Sequence, residues 1–175
     1  MTLHSCTFTT PLGDMLAVAS PAGLCLLEFV GQKGLERELA QVQAARGTAV
    51  QAGDSPILAQ TRAEVAEYFA GRRQGFGVAL DLVGTAFQLA AWQALLAIPH
   101  GQTRSYAQQA RSIGQPTATR AVAAANGANK VSIIVPCHRV IGSNGSLTGF
   151  GGGLARKQAL LALEGRAQQQ DLHGI

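Results

Sequence analysis

The spacing of turn residues changes near residue 84, and this change restricts the chain to two folded regions of different kinds. In the first thirty residues, short apolar runs alternate with turn segments that contain proline and glycine, namely Pro11–Gly13 and Pro21–Gly23. Such alternation is typical of antiparallel hairpins, and strands are expected at Cys6–Thr9, Met15–Ala19 and Leu24–Val30. From residue 85 onward, apolar residues recur at helical spacing. A chain of 175 residues is long enough for two small domains, each with its own core.

Two helices are expected to follow the first strands. The earlier one has apolar residues at helical spacing before Gly47, namely Leu35, Leu39 and Val42. The later one begins at Ser55 and Pro56, because serine is a good N-cap and proline suits the first helical turn, and it ends near Gly71. Its buried side is expected to include Leu58, Val65 and Phe69. Residues 1–83 are therefore predicted to form a small antiparallel sheet with helices.

The second region carries start signals for several short helices. Thr85 and Ser105 are each followed three residues later by glutamine, which is the pattern of a capping box. After the turn Gly114–Pro116, another helix is expected to open at Thr117. A helix, a short glycine-containing turn and a second helix are the elements of a helix-turn-helix. A further helix is expected from Leu154, with Gly165 as its stop and Glu164 at its end, where a carboxylate opposes the helix dipole. Residues 84–175 are therefore predicted to form a mostly helical, winged-helix-like domain, and the fold class is α+β.

The positive charge of the chain is concentrated in this second region. Residues 84–175 carry eight basic and two acidic side chains, a net charge of +6, whereas residues 1–83 carry six basic and eight acidic ones, a net charge of −2. A positive surface attracts nucleic acid. The segment Thr117–Ala125 is mostly alanine with one long side chain, Arg120, which suits either close approach to a DNA groove or simple packing with a solvated arginine.

The chain shows no signal for export or membrane insertion. Its first ten residues lack a basic segment followed by an apolar one, and no apolar run approaches the roughly 20 residues that span a bilayer. Its three cysteines, Cys6, Cys25 and Cys137, form no Cys-x-x-Cys pair, and a reducing compartment suits them. We therefore expect a cytoplasmic protein without a membrane partner. His4, Cys6 and Cys25 lack the spacing of a zinc site, and no metal or cofactor is expected.

A cysteine stands in a chemically unusual position near residue 137. The β-branched run Lys130–Val135 is predicted to be a buried strand, and it leads into Pro136, Cys137, His138 and Arg139. A cysteine acts as a nucleophile through its thiolate, which a neighbouring imidazole or guanidinium favours. An inert buried cysteine at the end of a strand is the alternative reading of this residue alone.

The segment Ile134–Ile141, with the sequence IVPCHRVI, resembles the reactive segment of the O6-alkylguanine-DNA alkyltransferases, also called methylated-DNA-protein-cysteine methyltransferases. The resemblance continues through Gly145–Phe150 and Lys157–Gly165 and extends upstream over the helix-turn-helix. It is fainter in the first region, where Thr10–Gly13 and Glu67–Arg73 carry it. It implies a suicide DNA-repair protein that moves the alkyl group from O6 of guanine, and from O4 of alkylated thymine, onto its own cysteine.

The resemblance also implies roles for individual residues. Cys137 would accept the alkyl group, His138 would take the thiol proton through a water molecule, and Glu164 would orient His138. In an extended segment the side chains of adjacent residues diverge, so this relayed contact between Cys137 and His138 is easier than a direct one. Tyr106 would donate to the flipped guanine, and Asn129 would brace the turn before the reactive strand. The implied DNA contacts come from Arg120, Tyr106, Thr119, Ala121, Arg139 and Gly151, with Arg120 entering the space left by the flipped nucleotide.

A single turnover, a monomer and a double-stranded DNA substrate containing O6-alkylguanine are further implications of the resemblance. The chain departs from the family pattern at Phe150, where tyrosine is usual, at Gly151, where serine or alanine is common, and at Lys130, where proline is usual. Two alternatives stay open. A cysteine hydrolase or acyltransferase would turn over through a thioester, and an alkyltransferase-like protein would recognise O6-alkylguanine without repairing it, although such proteins lack the acceptor cysteine.

Overall fold

A computed structural model describes the backbone of residues 1–173 and the side chains of residues 1–165. The chain divides into two compact units, Met1–Val83 and Gly84–Ile175. Among the residues that the structure describes, no helix has the length and apolar character needed to cross a membrane.

The first unit is built on a four-stranded sheet. Strands β1 (Leu3–Thr10), β2 (Gly13–Ser20) and β3 (Gly23–Phe29) pair antiparallel in the order expected from the hairpin signals. A fourth strand, β4 (Val50–Ala52), pairs with β1 in parallel. The sheet is therefore mixed, whereas the sequence predicted an antiparallel one. Three residues are too few to show a periodic pattern, which explains why the sequence did not indicate β4.

Two helices accompany this sheet, and both have the predicted end signals. Helix α1 (Leu35–Arg46) ends at Gly47, which has a left-handed backbone with φ of 66°. Helix α2 (Pro56–Phe69) begins at Ser55, whose hydroxyl accepts the N–H of Leu58 at 3.2 Å. The core of the unit includes residues from the sheet and from α1, namely Leu3, Val18, Cys25, Leu26 and Val42.

The second unit is mostly helical, as predicted. Its helices are α3 (Ala86–Leu96), α4 (Tyr106–Ser112), α5 (Thr119–Gly127) and α6 (Leu154–His173). Two short strands, β5 (Arg104–Ser105) and β6 (Val140–Ile141), pair in parallel. The capping boxes predicted at Thr85 and Ser105 are both formed, each with the two reciprocal hydrogen bonds of that motif.

Three local predictions in the second unit are wrong. Helix α5 begins at Thr119, two residues later than expected, because Gln115–Ala118 completes the turn with a hydrogen bond from the Ala118 N–H to the Gln115 carbonyl. The segment 130–135 is a buried turn and not a strand. Gly165 lies inside α6 and does not end it, so Glu164 is not at the helix terminus.

Candidate active site

Cys137 opens a short 3-10 helix, Cys137–Arg139, within a run of buried residues that extends from 129 to 140. Its side chain is 9% exposed and belongs to no disulfide. Its N–H donates to the carbonyl of Val135 at 2.8 Å, so the chain is coiled at the cysteine. The expectation of an extended segment, in which the side chains of neighbouring residues diverge, is therefore wrong at this position.

Asn129 holds the turn that leads to the cysteine. Its Nδ2 donates to the Val135 carbonyl at 2.8 Å, and its Oδ1 accepts the Val131 N–H at 2.9 Å. Within that turn, Ile133 has a positive φ of 73°, which a β-branched residue rarely adopts. The side chain of Asn129 therefore supplies the hydrogen bonds that a neighbouring strand would have supplied, and the turn stays closed.

His138 and Glu164 form a buried pair. His138 Nε2 lies 2.7 Å from Glu164 Oε2, and the two side chains are 0% and 1% exposed. Burial lowers the pKa of His138 and outweighs the opposing influence of Glu164. Burial alone would raise the pKa of Glu164, but the hydrogen bonds from His138 and Arg139 hold that pKa far below its usual range. Both directions favour a neutral imidazole beside an ionised carboxylate, an arrangement in which His138 Nε2–H donates to Glu164 Oε2.

The opposite nitrogen of His138 is left able to accept a proton. Among the described side chains, His138 Nδ1 is buried and has no hydrogen-bonding partner. When Nε2 carries the hydrogen, Nδ1 carries the lone pair. This tautomer is the one that a base for the adjacent Cys137 thiol requires.

Arg139 lies inside the unit and not on its surface. Its Nε and Nη2 donate to the two oxygens of Glu164 at 2.8 and 3.1 Å, and its Nη1 donates to the Ile98 carbonyl at 2.7 Å. The residue is 6% exposed. Contact between Arg139 and a DNA phosphate does not fit this geometry, because its donors face Glu164 and the backbone. The sequence suggested exposure because the carboxylate partner lies 25 residues away.

Lys157 is a site residue that the sequence reasoning missed. Its Nζ donates to the carbonyls of Val140 and Thr148, each at 2.6 Å, and the residue is 0% exposed. Burial lowers the pKa of Lys157, and the negative charge of Cys137 opposes that shift. Lys157, Leu160 and Glu164 are all buried on one face of α6, and this spacing of three and four residues is the signal that could have identified the lysine.

Tyr106 stands at the first position of α4, where the Ser105 cap fixes the start of the helix. Its hydroxyl donates to the Thr148 carbonyl at 3.2 Å and accepts from the Thr148 hydroxyl at 3.3 Å. Lys157 donates to the same carbonyl. Thr148 therefore connects the tyrosine to the lysine that lies within electrostatic range of Cys137.

The remaining predicted DNA contacts lie at accessible positions. Arg120 and Ala121, at the start of α5, are exposed, and Thr119 is half-buried. Gly151 is exposed and follows the half-buried Phe150. Within the described part of the chain, no group of three or more His, Cys, Asp or Glu side chains lies close enough together to hold a metal ion.

Two family models match the chain and together cover most of it. Residues 86–166 match the DNA-binding domain of 6-O-methylguanine DNA methyltransferase, and residues 3–82 match the ribonuclease-like domain of that protein. The chain belongs to the 6-O-methylguanine DNA methyltransferase family.

Individual members of the 6-O-methylguanine DNA methyltransferase family are similar over different lengths. The methylated-DNA–protein-cysteine methyltransferase of Mycobacterium leprae is 40% identical over 162 residues, which are 93% of this chain and 92% of that protein. The corresponding protein of Mycobacterium tuberculosis H37Rv is 59% identical over 105 residues, 60% of this chain, and the match spans 64% of that relative's length. A crystal structure of Mycobacterium tuberculosis OGT in complex with DNA matches with a TM-score of 0.82 at 42% identity and covers 94% of each chain.

Proposed function

We propose that this protein repairs double-stranded DNA by moving the alkyl group from O6 of alkylated guanine, and from O4 of alkylated thymine, onto Cys137. The observation that carries the proposal is the buried hydrogen bond between His138 Nε2 and Glu164 Oε2 next to Cys137. It leaves His138 Nδ1 without a partner among the described side chains, so that nitrogen is available to accept a proton. The curated relatives are named as methyltransferases of this kind, and this agrees with the geometry.

The transfer requires a thiolate and a leaving group that can take up charge. His138 Nδ1 accepts the Cys137 proton through a water molecule, and the charge of Lys157 favours the resulting thiolate. The sulfur attacks the alkyl carbon, a C–S bond forms, and the C–O6 bond breaks with its electron pair on the guanine oxygen. Tyr106 donates a hydrogen bond to the departing base. The base takes up a proton from water, and His138 returns to water the proton that it accepted from Cys137. The product on the protein is a thioether.

A thioether on Cys137 inactivates the protein irreversibly. Cleaving a C–S single bond needs a second nucleophile or a cofactor, and the roles assigned to the site residues supply neither. Each chain therefore repairs one lesion. We also propose that the protein acts as a monomer in the cytoplasm.

The base must leave the double helix before it can reach a cysteine that is 9% exposed. Helix α5 is the proposed recognition helix, with Ala121 allowing close approach to the groove and Thr119 beside it. Arg120 fills the space of the flipped nucleotide, and the backbone N–H of Gly151 contacts the guanine. We reassign Arg139 from DNA contact to holding Glu164. We assign the first unit, residues 1–83, a supporting role.

The alternatives predict different products. An acyltransferase would form a thioester on Cys137 and would turn over, and it would need an oxyanion hole beside the sulfur. A sensor of alkylated DNA would bind the lesion without changing mass. The presence of Cys137 argues against the sensor, and the relatives named as methyltransferases favour alkyl transfer over acyl transfer.

Intact-protein mass spectrometry after incubation with an O6-methylguanine duplex tests the proposal. The protein should gain one methyl group, peptide mapping should place it on Cys137, and an unmodified duplex should leave the mass unchanged. Methylation of Cys6 or Cys25, or more than one repaired lesion per chain, would contradict the mechanism.

A further inference from the structure

Helices α3, α4 and α5 meet at a buried pair of amide side chains. Gln109 in α4 is 2% exposed and Asn126 in α5 is 7% exposed. Asn126 Nδ2 donates to Gln109 Oε1 at 2.7 Å, and Gln109 Nε2 donates back to Asn126 Oδ1 at 2.9 Å. Gln109 Nε2 also donates to the carbonyl of Ala91 in α3 at 3.1 Å. One amide pair therefore joins three helices.

An amide pair restricts the relative position of two helices more tightly than an apolar contact does. Buried amides cost free energy unless they are hydrogen-bonded, and their hydrogen bonds tolerate only a narrow range of distances and angles. Apolar side chains of similar volume repack with little loss. A fully satisfied polar network in a core therefore specifies one arrangement of its helices.

Each member of the pair lies one helical turn from a candidate active-site residue. Gln109 follows Tyr106 by three positions in α4. Asn126 precedes Asn129 by three positions, and the Asn129 N–H donates to the Asn126 carbonyl at 3.2 Å. Asn129 in turn holds the turn before Cys137. The amide pair thus connects the helix of the tyrosine to the segment of the cysteine.

We propose that Gln109 and Asn126 are positioning residues whose amide pair sets the separation between Tyr106 and the reactive segment. This inference rests on the proposed function. Neither residue touches the substrate. The pair acts by keeping the tyrosine hydroxyl within reach of a guanine whose alkyl group lies against Cys137, because a misplacement of about 1 Å can cost on the order of a hundredfold in rate.

The experiment measures the single-turnover rate of methyl transfer at saturating O6-methylguanine duplex, together with the melting temperature. In the Gln109→Leu/Asn126→Leu variant, both polar partners are removed together, so the melting temperature should stay close to that of the parent. Its transfer rate should fall by roughly tenfold or more. The exchanged pair Gln109→Asn/Asn126→Gln contains the same groups and should recover most of the parent rate.

A second comparison separates positioning from general stability. In a Tyr106→Phe background, the leucine pair should slow transfer no further, because the hydroxyl that the amides position is absent. Leu95→Val, a change at a buried residue of α3 outside the amide pair, lowers the stability of the same unit and should slow transfer by the same factor with and without Tyr106.

The inference is overturned if the leucine pair transfers at the parent rate, or if its slowing is unchanged in the Tyr106→Phe background. A folded exchanged pair that is as slow as the leucine pair also overturns it, since hydrogen bonding would then not be the cause. Failure of the proposed function looks different, because the parent protein itself would gain no methyl group on Cys137.

Discussion

Replacing Glu164 with glutamine removes the negative charge on which the buried site depends. The carboxylate accepts from His138 at 2.7 Å and from Arg139 at 2.8 and 3.1 Å. Removing one partner of a buried ion pair typically costs about 3 to 5 kcal/mol, because the other charge stays buried without compensation. Glu164→Gln should therefore lower the free energy of unfolding by an amount of that order at neutral pH.

The loss of stability should depend on pH in a defined direction. Folding lowers the pKa of Glu164 from its ordinary value of 4.5, so the ionised carboxylate stabilises the native state above that pH. This contribution declines as the pH falls below 4.5 toward the folded-state pKa. The difference between parent and variant, measured by urea unfolding, should therefore be largest near neutrality and shrink in acid. Asp54→Asn makes the same chemical change in an exposed pair with Arg62 and should show little effect.

The transfer rate should respond to the same change. An amide can accept a hydrogen bond from His138 Nε2 or donate one to it, so the tautomer with an available Nδ1 lone pair is no longer enforced. Loss of a positioned base costs typically 10² to 10⁴ in rate, and we expect a decrease of about 10²-fold or more at neutral pH. The rate should also reach its plateau at a higher pH, because less of Cys137 would be thiolate. A folded Glu164→Gln protein with an unchanged pH–rate profile would refute this reasoning.

Three further substitutions test separate parts of the proposal. Cys137→Ala should abolish methyl transfer while leaving DNA affinity in a gel-shift assay intact, and residual methylation would contradict the assignment. Arg120→Ala should slow repair of a duplex far more than reaction with free O6-benzylguanine, which needs no base flipping. Equal slowing of both reactions would count against a role for Arg120 in base flipping. If Arg120 only contacted a phosphate, its loss would instead reduce the salt slope of DNA binding by about one. Lys157→Met should slow transfer by about tenfold at neutral pH and recover at high pH, because the ammonium favours the thiolate of Cys137. Equal slowing at every pH would indicate a purely structural lysine.

Local signals in the sequence predicted local structure well. The capping boxes at Thr85 and Ser105 formed because both of their partners lie within four residues, so no distant part of the fold decides them. The same is true of the Ser55 cap and the Gly47 helix end. These positions need only the propensities of neighbouring residues, and the order of strands β1 to β3 and of the helices followed from them.

Predictions that depended on distant partners were less accurate. The run Lys130–Val135 is buried, as its apolar composition indicated, but burial does not require an extended backbone, and the side chain of Asn129 replaces the hydrogen bonds of a strand partner. Glycine often ends a helix, yet α6 continues past Gly165 because one glycine costs only about 1 kcal/mol inside a helix. The expectation that Glu164 opposes the dipole at a helix end was therefore wrong, and its partners are side chains.

The burial of His138, with a smaller contribution from the charge of Arg139, explains how His138 can pair with a carboxylate and still act as a base. A carboxylate at 2.7 Å favours the charged imidazolium, and a protonated His138 could not accept the proton of Cys137. Burial lowers the pKa of His138, and the positive charge of Arg139 lowers it further. Arg139 donates to both oxygens of Glu164 and so satisfies much of its charge. We therefore expect the guanidinium to help Glu164 orient the imidazole without protonating it, a positioning role that fits the burial of Arg139 better than a DNA contact does.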